Sequence, residues 1–115
     1  MDEPLDGLWI INTEAKTVYA SGHMAEILGT TPSEMQGQPS FGYVFPEDIA
    51  AAQRLFDFKK AGNRAPFHFR LRRKDGSSIW VDVQGTPLFN AAGVFNGIVG
   101  TFTVSVGPHQ EGGAV

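Results

Sequence analysis

Residues 65–86 read APFHFRLRRKDGSSIWVDVQGT, and this stretch decides the fold. Two runs that alternate strictly between apolar and polar residues flank the polar segment 74–78, which contains a glycine. Such period-two alternation on either side of a turn signal predicts an antiparallel hairpin. The residues of its apolar face are Phe67, Phe69, Leu71, Ile79, Val81 and Val83. That face must cover either a filled core or a cavity.

Shorter elements precede the hairpin. Residues 7–12 read as a largely buried strand, and residues 17–20 return as a second strand after a turn. A helix over residues 22–28 follows, because Ser21 suits its N-terminal cap and Gly29 suits its stop. The first half of the chain therefore begins as a strand pair that leads into a short helix.

Two further helix starts and a last strand complete the order. Thr31, with proline and Glu34 after it, has the spacing of a capping box. Pro46 opens a longer helix that ends near residue 61, and a strand over residues 94–106 closes the pattern. Strands on both sides of a helical block predict an α+β domain: a five-stranded antiparallel sheet with short helices packed on one face.

Composition limits the function classes. A chain of 115 residues suits a single domain, here expected over residues 1–106 with 107–115 as a tail or the start of a linker. The net charge of −3 does not favour a nucleic-acid partner. No apolar run is long enough to span a membrane, so no membrane contact is expected from this segment. The lack of cysteine suits the cytoplasm, including the cytosolic part of a membrane-anchored sensor.

Four stretches in order resemble the PAS domain family. They are DGLWIINTEAKTVYASGHMAEILGTTPSEMQG at 6–37, VFPEDI at 44–49, FRLRRKDGSSIWVDVQGTPLFNAAG at 69–93 and GIVGTFTVSV at 97–106. Together the resemblance covers about residues 5–106. It implies a sheet that cups a cavity under short helices. It also implies a sensory role, usually in a bacterial histidine kinase of a two-component system, a cyclic-dinucleotide enzyme or a transcription regulator.

The cofactors that the resemblance suggests can be compared with the residues present. A cysteinyl-flavin adduct is excluded because the chain has no cysteine. Haem is not favoured, because the long helix at 46–61 has no histidine and His23 and His68 lie elsewhere. A non-covalent flavin or another small organic ligand is compatible with the sequence. No metal-ligand spacing and no catalytic constellation occurs, so an enzyme is not expected.

The expected ligand pocket is the inward face of the sheet and helices. Its candidate residues are Met24, Leu28, Met35, Phe41, Tyr43, Phe45, Phe56, Phe69, Val81, Gln84, Ile98 and Phe102. A few polar groups in an apolar cup are typical of small-molecule sites. The same aromatic residues would equally fill an ordinary core, so both readings stay open here.

The other face of the sheet is the expected partner surface. Alternation places Trp80 on the face away from the helices, and Trp9 and Val99 are expected to extend the patch. An apolar patch of this kind tends to mark an interaction surface, which predicts a homodimer. The chain is thus read as a sensor that regulates an attached effector in cis. The alternative is a ligand-free interaction module that acts through the outer sheet face.

Overall fold

A computed structural model describes residues 6–105, and the predicted boundary between residues 106 and 107 lies outside them. The strands are β1 Gly7–Ile11, β2 Thr17–Ala20, β3 Phe67–Arg72, β4 Ser78–Phe89 and β5 Phe95–Val104. The helices are α1 Gly22–Leu28, α2 Pro32–Met35 and α3 Ile49–Lys60, with 3-10 turns at Ser40–Tyr43 and Pro46–Asp48. The α+β prediction of five strands and short helices is confirmed.

The five strands form one antiparallel sheet in the order β2-β1-β5-β4-β3. The first and last described strands, β1 and β5, therefore lie side by side in the middle of the sheet. Trp9 lies opposite Gly100 in this pair, and Gly85 of β4 lies opposite Gly100 on its other side. These three inward positions sit in one row across the middle of the sheet.

The hairpin has the register that its alternation predicts. Phe69 lies opposite Val81, and Phe67 lies opposite Val83. Residues directly opposite in an antiparallel pair share a face, so these side chains point together toward the helices. The turn between the strands places Gly76 at φ 92°, which a glycine adopts without strain.

The helix ends follow their local signals. Ser21 accepts a hydrogen bond from the amide of Met24, and Gly29 ends α1 at φ 73°. Thr31 accepts from the amide of Glu34, as in a capping box. The second hydrogen bond of a capping box, from the Thr31 amide to the Glu34 side chain, is not formed. The Glu34 carboxylate instead accepts from the Thr30 hydroxyl and from Lys74 Nζ, at 2.7 and 2.8 Å.

The basic side chains of β3 join this edge strand to the helical layer. Arg70 donates from Nε and Nη2 to Asp48 Oδ2, at 3.0 and 2.8 Å, while Arg72 donates to the carbonyl of Gly42. Lys74 adds its pair with Glu34. The long side chains of this basic run reach round the sheet edge, so the run is more than a solvated strand face.

The apolar interior is divided into two clusters. The larger one packs α1 and α2 on the sheet around Met24, Leu28 and Met35, all fully buried. The smaller one contains Phe56 of α3 and Ile98 of β5. Among the described helices none is long and apolar enough to cross a membrane.

Candidate functional site

A cavity of about 110 Å³ lies between α3 and the inner face of the sheet. It takes walls from both core clusters, including Trp9 from the larger and Phe56 from the smaller. The residues that line it are Trp9, Ile11, Ser40, Phe41, Val44, Ala52, Leu55, Phe56, Lys59, Phe67, Phe69, Leu71, Val83, Gly85, Ile98, Gly100 and Phe102. Apart from Ser40, Lys59 and the Trp9 indole, these side chains carry no polar group.

Two glycines form the bare floor of the cavity. Gly85 and Gly100 lie opposite each other in neighbouring strands, and both face inward. A Cβ at Gly100 would approach the Phe102 ring to 2.7 Å, and one at Gly85 would approach Lys59 Cε to 3.2 Å. The missing side chains thus leave room for an aromatic ring and a lysine to lie against the backbone of the sheet.

Aromatic rings that pack against one another build the walls. The ring centroids of Trp9 and Phe102 lie 5.4 Å apart with the rings tilted by 46°, and those of Phe41 and Phe56 lie 6.2 Å apart in an edge-to-face arrangement. The Trp9 indole N–H donates to the Thr17 hydroxyl at 3.0 Å, so its polar atom is satisfied away from any ligand. Such walls favour an apolar or aromatic body.

Among residues 6–105, Lys59 is the one charged residue that lines the cavity, and it is only 3 % exposed. Its ammonium donates to the carbonyl of Ala65 at 2.9 Å and lies 5.5 Å from the centroid of the Phe67 ring. Loss of hydration on burial, and then repulsion from Arg64, lower the pKa of Lys59 below its usual 10.5. The cavity therefore holds one poorly solvated cation at its edge.

Five of the twelve predicted pocket residues line the cavity: Phe41, Phe56, Phe69, Ile98 and Phe102. They come from the 3-10 turn, α3, β3 and β5, so the structure brings together residues far apart in the chain. Each was predicted to point toward the interior between the sheet and the helices, and each does so.

Four other predicted pocket residues lie in the packed core instead. Met24, Leu28, Met35 and Val81 are fully buried in the larger cluster, and none lines the cavity. The reason is that α1 and α2 press directly on the sheet, which leaves no space beneath them. These residues face inward as expected, but they belong to the filled part of the interior.

The remaining three predicted pocket residues lie outside the cavity wall. Tyr43 packs edge-on behind Trp9 at 5.8 Å. Phe45 lies under the Arg70 guanidinium, whose central carbon is 4.5 Å from the ring centroid. Gln84 is on the outer face of the sheet, where its side chain donates to the carbonyl of Arg64 at 3.0 Å. Gln84 alternates with inward Val83 and Gly85, and its placement in the pocket is wrong.

The prediction of Trp9 on the partner face is also wrong. Trp9 is 4 % exposed and lines the cavity. Alternation along β1 places Gly7, Trp9 and Ile11 on the inner face, which leaves Leu8 and Ile10 outside. The sequence of β1 does not show which residues point inward, because both faces of the strand carry large apolar residues.

Trp80 and Val99 do lie on the outer face, half-buried. The Trp80 ring stacks on His68 with a centroid distance of 4.9 Å, and His68 Nδ1 lies 2.8 Å from Asp82 Oδ1. Val99 lies opposite Thr86 on β4 and opposite Ile10 on β1. The outer face thus carries an apolar strip across β1 and β5 and a polar-aromatic group at β3 and β4.

Lys59 is the site residue that the sequence interpretation missed. From the sequence, its position near the end of α3 indicates only a favourable charge at the helix end. A signal was nevertheless present, because Lys59 follows Ala52 and Phe56 at i+7 and i+3 on the buried stripe. A lysine in phase with such a stripe indicates a buried ammonium rather than a solvated one.

The cavity does not fit the cofactors considered for it. Pockets for drug-sized ligands have volumes of about 300–1,000 Å³, so 110 Å³ is too small for an isoalloxazine ring without a large rearrangement. Among residues 6–105 no histidine lines the cavity: His23 pairs with Glu26 on the surface, and His68 is on the outer face. Over residues 6–105 no group of three side chains is placed to hold a metal ion.

Comparison with known proteins agrees with this architecture. A family model described as PAS fold matches residues 17–102. The chain belongs to the PAS fold family. A sheet that cups a small cavity beneath short helices is what the sequence resemblance to PAS domains implied, and that resemblance is confirmed.

Two curated proteins share parts of this PAS sequence. The uncharacterised protein y4lL of Sinorhizobium fredii is 32 % identical over 95 residues, which cover 81 % of this chain and 11 % of that protein. The aryl hydrocarbon receptor nuclear translocator homolog of Drosophila melanogaster is 27 % identical over 79 residues, covering 67 % and 12 %. The PAS chain thus spans about a tenth of the length of these relatives.

Solved structures of several other proteins share the fold. A PAS domain from Colwellia psychrerythraea has a TM-score of 0.79 at 15 % identity, covering 89 % of this chain and 87 % of that one. A light-oxygen-voltage domain studied with a flavin analogue has a TM-score of 0.78 at 21 % identity, covering 92 % and 82 %. A sensory box histidine kinase/response regulator of Burkholderia thailandensis has a TM-score of 0.70 at 24 % identity, covering 87 % and 76 %.

Proposed function

We propose that this PAS domain is a sensory module that binds a small ligand in the cavity beneath α3 and regulates an effector attached in cis. The observation that carries the proposal is the cavity itself, apolar on nearly all sides and bordered by one buried ammonium. Small ligands bind in concave, mostly apolar sites that carry a few polar groups. An apolar cavity of about 110 Å³, whose floor is left bare by a pair of glycines, has this character.

The proposed route of the signal runs through β5. Ile98, Gly100 and Phe102 supply part of the cavity wall from this central strand, and β5 is the last strand among the described residues. A ligand that binds one arrangement of these side chains more tightly shifts the domain toward it. An effector joined beyond β5 would receive that shift directly.

The effector and compartment belong to the same proposal. The chain covers about a tenth of its curated relatives, and one PAS structure comes from a histidine kinase/response regulator. A histidine kinase, a cyclic-dinucleotide enzyme or a transcription regulator in a bacterial two-component or related pathway would suit such a module. We assign it a regulatory role without catalysis of its own and, because it lacks cysteine, a cytoplasmic location.

Ile98→Phe tests the cavity, because Ile98 lines it from β5. The larger ring is expected to fill empty space, so the free energy of unfolding should change by less than about 1 kcal/mol. Isobutanol, a small uncharged probe with an apolar body and one hydroxyl group, should perturb the amide resonances of cavity residues in the wild type and not in Ile98→Phe. Urea denaturation and two-dimensional amide spectra provide the two measurements.

Leu88→Phe is the matched control, since Leu88 is on the exposed outer side of β4. It should keep both stability and the response to isobutanol. A loss of about 1–3 kcal/mol in Ile98→Phe, together with a wild type that does not respond to isobutanol, would show an ordinary filled core and overturn the sensor proposal.

The outer sheet face supports a second candidate function, a dimerisation or interaction module. Leu8, Ile10 and Val99 form a half-buried apolar strip, and Tyr19 at its end is 47 % exposed. The half-buried Trp80 ring lies on the same outer face, beyond this apolar strip, and could contact a partner there. An apolar surface of this kind is typical of a partner site, which we propose is a second copy of this domain.

Trp80→Ala tests that surface. If the outer face forms a homodimer, the change should raise the dimer dissociation constant at least tenfold, because buried tryptophan is enriched among the residues that dominate interfaces. Sedimentation velocity over a concentration series measures this constant. Phe58→Ala, which removes an exposed ring from α3, should leave it unchanged. A wild type that stays monomeric at high concentration would rule out the homodimer.

A further inference from the structure

We propose that the cavity ligand is a small organic anion, a monocarboxylate on a short apolar body, and that Lys59 binds its carboxylate. This inference rests on the proposed sensory function, because it names the chemical class that the cavity takes. The family relationship alone specifies no such class. The proposal depends instead on where this chain places one ammonium group.

The charge of Lys59 lacks a counter-ion within the described part of the chain. No carboxylate among residues 6–105 forms an ion pair with it, although it is almost completely buried. Its one charged neighbour of note, Arg64, repels it. Buried charges in proteins are normally paired, because an unpaired charge loses its hydration without compensation. An anionic ligand would supply the missing partner.

The hydrogen bonds of Lys59 leave room for that partner. An ammonium carries three N–H donors, and within residues 6–105 one of them donates to the carbonyl of Ala65. The Phe67 ring lies on another side at 5.5 Å. The bond to Ala65 holds the ammonium in place at the cavity edge, so a donor remains to be directed at a ligand. A charge-assisted bond of this kind is about twice as strong as a neutral one.

The bare backbone at Gly85 brings the ammonium to the cavity. A Cβ there would lie 3.2 Å from Lys59 Cε and 3.7 Å from Nζ, so any larger side chain would push the lysine away. Gly85 and Lys59 also both line the cavity. The glycine therefore places the charge over the floor of the sheet, within reach of an occupant, rather than at the solvent boundary.

The size and lining of the cavity limit the rest of the ligand. An engineered apolar cavity of about 150 Å³ binds benzene, so a cavity of about 110 Å³ suits an apolar body of a few carbon atoms. A single ammonium matches a single carboxylate, whereas a polyphosphate would bring charges that these apolar walls cannot solvate. Isobutyrate has the required chemistry: a branched three-carbon body and one negative charge.

The test compares isobutyrate with isobutyramide, which has nearly the same shape without the charge. Both are titrated at equal ionic strength into the wild type, Lys59→Met and Lys60→Met, while amide resonances of the cavity residues are followed. Lys60 is the matched control, because it is the next residue of α3 and is exposed. The wild type and Lys60→Met should bind isobutyrate at least tenfold more tightly than isobutyramide. Lys59→Met should show no such preference.

The outcomes separate this inference from the proposed function. If both probes bind the wild type equally, or the preference survives in Lys59→Met, the anion inference is overturned while ligand binding stands. If the wild type binds isobutanol but neither isobutyrate nor isobutyramide, the anion inference is likewise overturned while ligand binding stands. If no probe binds, isobutanol included, the proposed function fails as well. Lys59→Gln, which can still donate to the Ala65 carbonyl, replaces Lys59→Met should that variant lose its folded spectrum.

Discussion

Trp9→Ala is expected to lower the free energy of unfolding by about 3–5 kcal/mol, the range for removing a large buried aromatic residue. Trp9 is 4 % exposed, packs against Phe102 and Tyr43, and donates its indole N–H to Thr17. Its removal would enlarge an existing cavity and leave the buried Thr17 hydroxyl without this partner. Urea denaturation followed by circular dichroism measures the loss without depending on tryptophan fluorescence.

Trp80→Ala is the matched control for Trp9→Ala, because it removes the same side chain from the outer face. Trp80 is half-buried and stacks on His68, so its loss should cost about 1–2 kcal/mol. The comparison tests the assignment of the two faces directly. Equal effects of the two substitutions, or a larger effect at Trp80, would contradict the inward placement of Trp9.

Gly97→Ala is expected to destabilise the domain by about 3–4 kcal/mol, through backbone strain and overpacking together. Gly97 has φ 141°, a conformation that residues with a side chain rarely adopt. A Cβ there would lie 2.5 Å from the backbone oxygen of Ile11 in β1. Because the obstacle is backbone, relief requires the central strands β1 and β5 to move apart. Urea denaturation of the purified variant measures the cost.

Gly93→Ala separates the two causes. Gly93 has a positive φ of 80° in the turn before β5, and no atom lies within 4 Å of a Cβ built there. It should lose only the conformational part, about 1–2 kcal/mol. If Gly97→Ala cost no more than Gly93→Ala, the close approach of β1 to β5 would be refuted.

Most of the fold was predictable because its signals are local. The hairpin of β3 and β4 followed from strict alternation, and α1 followed from Ser21 and Gly29 at its two ends. The end of β4 was less evident. Alternation is lost near Pro87, yet β4 continues to Phe89 because β5 pairs with it along that length. Pairing between distant segments sets such limits, and no local pattern records it.

The site was only partly predictable, and two residues show why. Trp9 was assigned to the wrong face because β1 is apolar on both sides, so its phase depends on pairing with β5. The burial of Lys59 was not predicted, since the burial of a lysine depends on what packs above it. Met24 and Leu28 show a third reason: an inward direction does not distinguish a filled core from a cavity wall.

The two floor glycines have a consequence for how this domain could diversify. At position 100 an added methyl group would meet the Phe102 ring at 2.7 Å, so a change there needs a second change nearby. At position 85 it would meet the flexible end of Lys59 at 3.2 Å and the Ile98 side chain at 3.7 Å, which is an ordinary contact distance. Gly85→Ala alone could therefore change the shape of the cavity and displace the Lys59 ammonium while the fold is kept. Paralogues that respond to different metabolites could arise by such one-step changes, with residue 85 as the first position to vary.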